Sequence, residues 1–275
     1  MPTIDIDGIE IFYAEQGMGD TLVLLPGLGF DHRYYRFAVP LFAPHYRVIS
    51  FDPRGIGASE KVDDNYTVEI WASDFVKAIA KISEKPVHLL GTSLGGSMAM
   101  AVAETAPELL RSLTIVGSFS ELDRAAEINF SLRSKLIARL GLSEEVATYM
   151  GLWTMSRSFI NSDQGYEQMK QNLALITRND PVLYKKFVDS VLAWGRCLPG
   201  QENEPKFTAK LSNIKTPTLV IGSGNDHLIP LSLSEKIASH IPGAELFVMQ
   251  EGGHIPFIEK PHDACAAVLE FLEKH

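Results

Sequence analysis

The sequence predicts an α/β protein: a mostly parallel, eight-stranded sheet flanked by helices, with a helical cap inserted after the sixth strand. Three observations carry this. Short continuous apolar runs of strand length alternate with stretches of helical spacing, the pattern of strand–helix–strand crossover units. The alternation stops once, over about residues 121–205, where helical stretches follow one another without a strand. And "HLLGTSLGGSMAM", residues 88–100, sets Ser93 between Gly91 and Gly95 where a strand pattern passes into an Ala- and Met-rich helical one.

Residues 2–6 and 9–14 alternate polar and apolar side chains around Gly8, which predicts a half-buried hairpin. "TLVLLPG", residues 21–27, is a continuous apolar run closed by Pro26 and Gly27, as suits a strand covered on both faces. Runs of the same kind lie at 46–52, 86–91, 111–118, 216–224 and 244–250. Between them, residues 67–83 place Ile70, Trp71, Phe75, Ile79 and Ile82 on one helical face. Residues 94–106, 231–241 and 262–274 complete the flanking helices. Four helical stretches, near 123–140, 143–156, 165–178 and 181–196, fill the insertion. Gly141, Gly165 and "NDP" (179–181) separate them, and "LPGQENEPKF" (198–207) reads as the exit linker. The predicted organisation is a core domain of residues 1–120 and 206–275 and a helical cap of residues 121–205.

Composition narrows the function classes. The 275 residues are 45% hydrophobic, enough for a sizeable core, and carry 25 Lys and Arg against 34 Asp and Glu, a net charge of −9. Such a surface is repelled by nucleic-acid phosphates and anionic lipid. The expected partner is therefore a small-molecule substrate, not a nucleic acid or a membrane, with homo-oligomerisation left open. Cys197 and Cys265 form no disulfide framework. There is no basic segment leading into an apolar block and no run of 18 apolar residues, so a cytoplasmic protein is expected. Neither H-E-x-x-H, clustered His and Cys ligands, a Walker A spacing nor a G-x-G-x-x-G after the first strand occurs. No metal and no cofactor are expected.

A strand-to-helix turn as tight as "GTSLG" strains the backbone at Ser93 and lifts its hydroxyl above the C-terminal edge of the sheet, where open α/β sheets bind ligands. The helix that begins at Leu94 aims free N–H groups at the same place. A serine attacks only when a base takes its proton. His254 is the candidate base: it lies in "QEGGHIPFIEKP", in a Gly-rich loop between the last strand and the last helix. His45, His88, His240, His262 and His275 lack such a loop, and His227 reads as a neighbour of the site. Asp226, in "GSGNDHLIP" just past the strand 216–222, is the preferred acid to orient His254, with Glu121 and Asp123 as rivals. Backbone N–H groups of Leu28 and Leu94 are the candidate oxyanion donors. Phe30, Phe119, Trp153, Met155 and Trp194 are candidates for the pocket wall, although ordinary packing between cap helices is the preferred account of each, and they are not counted as site residues.

These segments together resemble the α/β-hydrolase superfamily along the whole chain: "LLPGLG" as the oxyanion loop, "FDPRGIGASE" as a structural turn, "GTSLGG" as the nucleophile elbow, and the segments around Asp226 and His254. The order Ser93, Asp226, His254 is the one this fold uses. Pro26 stands where members of the superfamily usually carry a His. The small-cap esterases, enol-lactonases and cofactor-free perhydrolases are the most similar group, while Ser93 separates the chain from members with an Asp nucleophile. The resemblance implies hydrolysis of a carboxylic ester or lactone through an acyl-enzyme. Cleavage of a β-diketone-type C–C bond or an amide, perhydrolysis, and a non-catalytic ligand receptor on the same fold remain open alternatives.

Overall fold

The computed structural model describes residues 2–195 and 206–275. Its eight strands are β1 (Thr3–Ile6), β2 (Ile9–Gln16), β3 (Thr21–Leu25), β4 (Arg47–Phe51), β5 (Val87–Thr92), β6 (Leu110–Val116), β7 (Thr218–Ser223) and β8 (Glu245–Met249). They form one sheet in the order β1-β2-β4-β3-β5-β6-β7-β8. The β1–β2 and β2–β4 pairs are antiparallel and every other pair is parallel. The hairpin turns at Asp7 and Gly8, both with positive φ (54° and 86°), as a two-residue hairpin turn requires.

The helices are α1 (Val39–Phe42), α2 (Val68–Ile82), α3 (Leu94–Thr105), α4 (Arg124–Leu140), α5 (Glu144–Thr154), α6 (Arg157–Ile160), α7 (Asp163–Ile176), α8 (Pro181–Gly195), α9 (Leu231–His240), α10 (Pro256–Glu259) and α11 (Pro261–Leu272). Side chains alternate across the central strands, as the pleat dictates. Val23 and Leu25 of β3 enter a core shared with α2 and α3, whereas Leu22 and Leu24 enter a second core with α1 and α11. No described helix is long and apolar enough to cross a membrane.

Helices α4–α8 occupy the predicted strand-free interval between β6 and β7. Two details of that interval differ from the sequence reading. A short helix, α6, forms where none was expected, because Ser156 caps it by accepting from the Phe159 N–H. And Gly165 does not separate helices: it lies in the first turn of α7, which Ser162 caps. A Cβ there would stand 1.8 Å from the Phe159 carbonyl oxygen, so close approach of the two segments demands glycine at this place. Cys197 and the expected exit linker lie outside the described residues, apart from the linker's last two positions, Lys206 and Phe207. Phe207 opens a 3₁₀ segment, Phe207–Asn213.

The expected structural turn is held by buried polar contacts. Arg54 donates two hydrogen bonds to Asp74 (2.8 and 2.6 Å), and Ser59 donates to the Asp52 carbonyl while accepting from the Phe12 N–H.

Candidate active site

Ser93 sits at the junction of β5 and α3 with φ 54° and ψ −120°, a strained conformation for a residue with a side chain. Neighbouring strands fix it there. Its N–H donates to the Val116 carbonyl (2.8 Å), and the Ser118 hydroxyl donates to its own carbonyl (2.7 Å). The flanking glycines are required by contact. A Cβ on Gly91 would lie 2.1 Å from the Gly95 oxygen, and one on Gly95 would lie 2.2 Å from the Leu25 oxygen. Only without those carbons can α3 start directly against the loop that follows β3.

The loop after β8 brings His254 to the same sheet edge. Its Nε2 is 2.9 Å from the Ser93 Oγ, and its Nδ1 is 2.7 Å from Asp226 Oδ2. The second carboxylate oxygen of Asp226 accepts from the N–H groups of Leu228 (2.9 Å) and Ile229 (2.8 Å). With two backbone donors on Oδ1, the oxygen facing the imidazole can only accept, so Nδ1 carries the proton and Nε2 is left to accept from the serine. The three side chains are almost closed to solvent: Ser93, Asp226 and His254 are 6%, 5% and 4% exposed. A third anchor comes from the insertion, because the Thr154 carbonyl accepts from the His254 N–H (3.0 Å).

The rival acids are engaged elsewhere. Glu121 pairs with Lys236 (2.7 Å) and accepts from Thr208, while Asp123 caps α4 through the Ala126 N–H. His45, His227, His240 and His262 are exposed. His88 is buried in β5 against Ser112, and burial pushes its pKa down to about 4.

The Leu28 and Leu94 amides donate to no other described protein atom. The loop holding Leu28 passes beside the serine: a Cβ on Gly27 would be 3.3 Å from the Ser93 Cβ. Between this edge and the insertion lies a narrow, mostly apolar cavity, lined by Ser93, His254 and Leu28 from the core and by residues of α4, α5 and α7. The cavity is small, with a volume of about 50 Å³. Of the expected wall residues, Phe30 and Met155 line it. Phe119, Trp153 and Trp194 do not. Trp194 stacks on Phe207 with ring centres 4.3 Å apart and donates to the Phe119 carbonyl, while Trp153 packs against Tyr149. Their bulk is spent on holding helices together.

Sequence reasoning missed the polar side chains Tyr34, Thr92, Arg133, Thr154, Asn172 and Tyr184 in the lining. Arg133 left one readable trace: it interrupts the buried stripe Ala126, Phe130, Ile137 of α4. Away from the cavity, Asp31, His32 and Asp52 cluster closely enough to share an ion. Their atoms are already engaged. Asp31 pairs with Arg33, and Asp52 accepts from the His32 ring (2.8 Å), the His32 N–H and the Ala58 N–H. The hydrogen bond that His32 donates to the Asp52 carboxylate holds the His32 pKa above its usual value.

The sequence profile of the alpha/beta hydrolase fold matches residues 20–261. The chain belongs to that family. Among curated alpha/beta hydrolase relatives it is 27% identical to the 2-hydroxy-6-oxo-6-(2'-aminophenyl)hexa-2,4-dienoic acid hydrolase of Metapseudomonas resinovorans, over 98% of this chain and 90% of that one. It is 26% identical to a Mycobacterium tuberculosis protein provisionally named non-heme bromoperoxidase BpoC, over 96% and 98% of the two chains. The enol-lactonase of Burkholderia xenovorans LB400 superposes with a TM-score of 0.87 over 99% of this chain and all of that one, at 20% identity. That likeness speaks for the fold. The family's hydrolase members act on more than one kind of bond, so the bond this alpha/beta hydrolase cleaves has to be argued from its own site.

Proposed function

We propose that the protein is a serine hydrolase that cleaves a carboxylic ester or lactone through an acyl-enzyme. One observation carries the reading: the unbroken hydrogen-bond relay from Asp226 Oδ2 through the two nitrogens of His254 to the Ser93 Oγ. His254 Nε2 takes the serine proton as Oγ attacks the acyl carbon. Asp226 holds the proton on Nδ1 and favours the imidazolium that forms. The N–H groups of Leu28 and Leu94 receive the negative charge on the carbonyl oxygen, a contribution of roughly 2.7–4 kcal/mol per donor. The imidazolium then protonates the leaving alcohol. In the second half the neutral imidazole takes a proton from water, hydroxide adds to the acyl carbon, and Ser93 regains its proton as the acid departs. Helices α4–α8 serve as the cap of this core, closing the acyl pocket from above.

Ester or lactone cleavage is favoured because an alkoxide is a good leaving group once His254 hands it the single proton taken from Ser93, whereas an amide nitrogen or a carbanion leaves less readily. The relative that is a hydrolase of a dienoic acid supports a second reading, in which the same relay opens a C–C bond beside a carbonyl. A panel of short 4-nitrophenyl esters and lactones, run beside a β-diketone-type substrate, separates the two. Ester turnover that falls by several orders of magnitude in Ser93→Ala is the expected outcome. Turnover that survives the substitution, or cleavage confined to the diketone, refutes the ester reading.

A further inference from the structure

The cavity beside Ser93 contains a charge with no partner among the described residues. Arg133, on α4, is only 3% exposed and lines the cavity. Its Nε and Nη2 have no hydrogen-bond partner, and no described carboxylate lies within ion-pair distance of it. The ring of Phe130 covers one face of the guanidinium, 5.1 Å away. Burial pushes its pKa down, to about 10, which leaves it charged at neutral pH.

Two more polar side chains line the same space: Asn172, on α7, whose Nδ2 has no hydrogen-bond partner among the described residues, and Tyr34, in the turn after β3, whose hydroxyl lies beside Thr92. Asn172 is oriented from behind, because its Oδ1 accepts from Arg36 (3.1 Å). All three groups can donate a hydrogen bond, and they come from three separate elements. The unpartnered acceptor Asn129 Oδ1 does not face the cavity. A buried charge without a counter-charge is costly, and chains seldom keep one without a ligand to meet it. A guanidinium fork beside two neutral donors matches the planar, two-oxygen shape of a carboxylate.

We propose that Arg133, with Asn172 and Tyr34, binds a free carboxylate carried by the substrate, so that the ester or lactone this site takes is an anionic one. The proposal rests on the hydrolase reading above and deepens it.

Two matched pairs test it, with the carboxylate on the acyl side (mono-4-nitrophenyl glutarate against 4-nitrophenyl pentanoate) and on the alcohol side (4-carboxyphenyl acetate against 4-tolyl acetate). The readout is the ratio of kcat/KM within each pair, for the wild type and for Arg133→Met. In at least one pair the wild type favours the carboxylate, and the substitution lowers that ratio roughly 10- to 100-fold, the range for a hydrogen bond to a charged group. Ratios identical in the two proteins, or a wild type that favours the neutral member of both pairs, overturn the proposal. Arg133→Lys, which keeps the charge and loses the fork, falls between and substitutes if the Met variant does not fold. Glutarate binding, followed as a shift of the unfolding temperature, needs no turnover. It stabilises the wild type and not Arg133→Met if the proposal is right, and both or neither if it is wrong. Turnover absent on every ester would sink the hydrolase reading, and the glutarate result would still judge Arg133.

Discussion

Asp226→Asn is a one-atom substitution whose effect follows from the hydrogen bonds around the carboxylate. Oδ1 accepts from two backbone N–H groups, those of Leu228 and Ile229, while Oδ2 faces His254 Nδ1 at 2.7 Å. An asparagine must choose which of these places receives its NH₂. Turned toward the backbone, the NH₂ confronts two donors and leaves both unsatisfied, at about 1–3 kcal/mol each. Turned toward His254, it donates to Nδ1, which must then give up its proton. The proton moves to Nε2 and points at Ser93, and the base is lost. The wrong orientation is therefore favoured by about 2–6 kcal/mol, which at about 1.36 kcal/mol per tenfold is a population effect of roughly 30-fold to 25,000-fold. The side chain stays the same size in the same buried place, so the fold should persist. The measurement is initial-rate hydrolysis of 4-nitrophenyl acetate by both proteins, with matched circular dichroism and unfolding temperature. A loss of kcat/KM by between roughly one and a half and four and a half orders of magnitude is expected. A loss of less than tenfold in a folded variant would mean that Asp226 does not set the tautomer of His254, and the reasoning would fail.

Gly95→Ala drives a methyl group against the backbone oxygens of Leu25 and Pro26, 2.2 and 2.6 Å from where it would sit, so α3 must shift away from the Leu28 loop. The expected cost is about 1–3 kcal/mol of stability or more, with a fall in kcat, and an unchanged unfolding temperature would contradict the contact. His88 makes stability acid-sensitive: its folded-state pKa of about 4 lies below the ordinary 6.5, so the unfolded chain binds the proton more readily. Stability from this group is present above about pH 6.5 and is lost as pH falls toward 4, by up to about 3 kcal/mol at 1.36 kcal/mol per pH unit. Urea unfolding of the wild type and of His88→Gln across that window should differ in slope by about one proton, and equal slopes would refute the assignment.

The parts of the site that could be read from the sequence are those whose constraint is local. Gly91, Ser93 and Gly95 show the elbow because the backbone there permits no other neighbours. Asp226 and His254 are readable because each follows a strand at one sheet edge, and topology alone brings such loops together. The strand order is less local. The reversal that puts β4 outside β3 depends on crossover handedness and not on any residue in either strand. Within the insertion, helical periodicity marks the long helices, but a four-residue segment such as α6 has too few turns to show a period. Gly165 misleads for a related reason. A glycine demanded by contact with Phe159 looks the same in one dimension as a glycine that ends a helix. Asn172 is an unremarkable letter in its helix and Tyr34 in its turn, and only the cavity in front of them gives them meaning.

Two buried charges near the cavity differ in a way that bears on their roles. Glu259, on α10, is 8% exposed, and its pKa is held above the usual carboxylate range by burial. It accepts from the Ser156 hydroxyl (2.6 Å) and the Ser156 N–H (3.1 Å), so the cost of its burial is offset inside the chain. Those bonds, with the one from the His254 N–H to the Thr154 carbonyl, tie both sides of Met155 to the loop that carries the imidazole. The wall beside His254 is thereby held by polar contacts that need no ligand. Arg133, more deeply buried, has no comparable set of acceptors among the described residues. If its role were only to hold α4 in place, a partner such as Ser156 provides for Glu259 should be found beside it. Its absence among the described residues makes a structural role the weaker account, and an apolar residue of similar length should fold at least as well there. A rise in unfolding temperature for Arg133→Met, together with loss of discrimination for the carboxylate, distinguishes a group kept for its ligand from one kept for the fold.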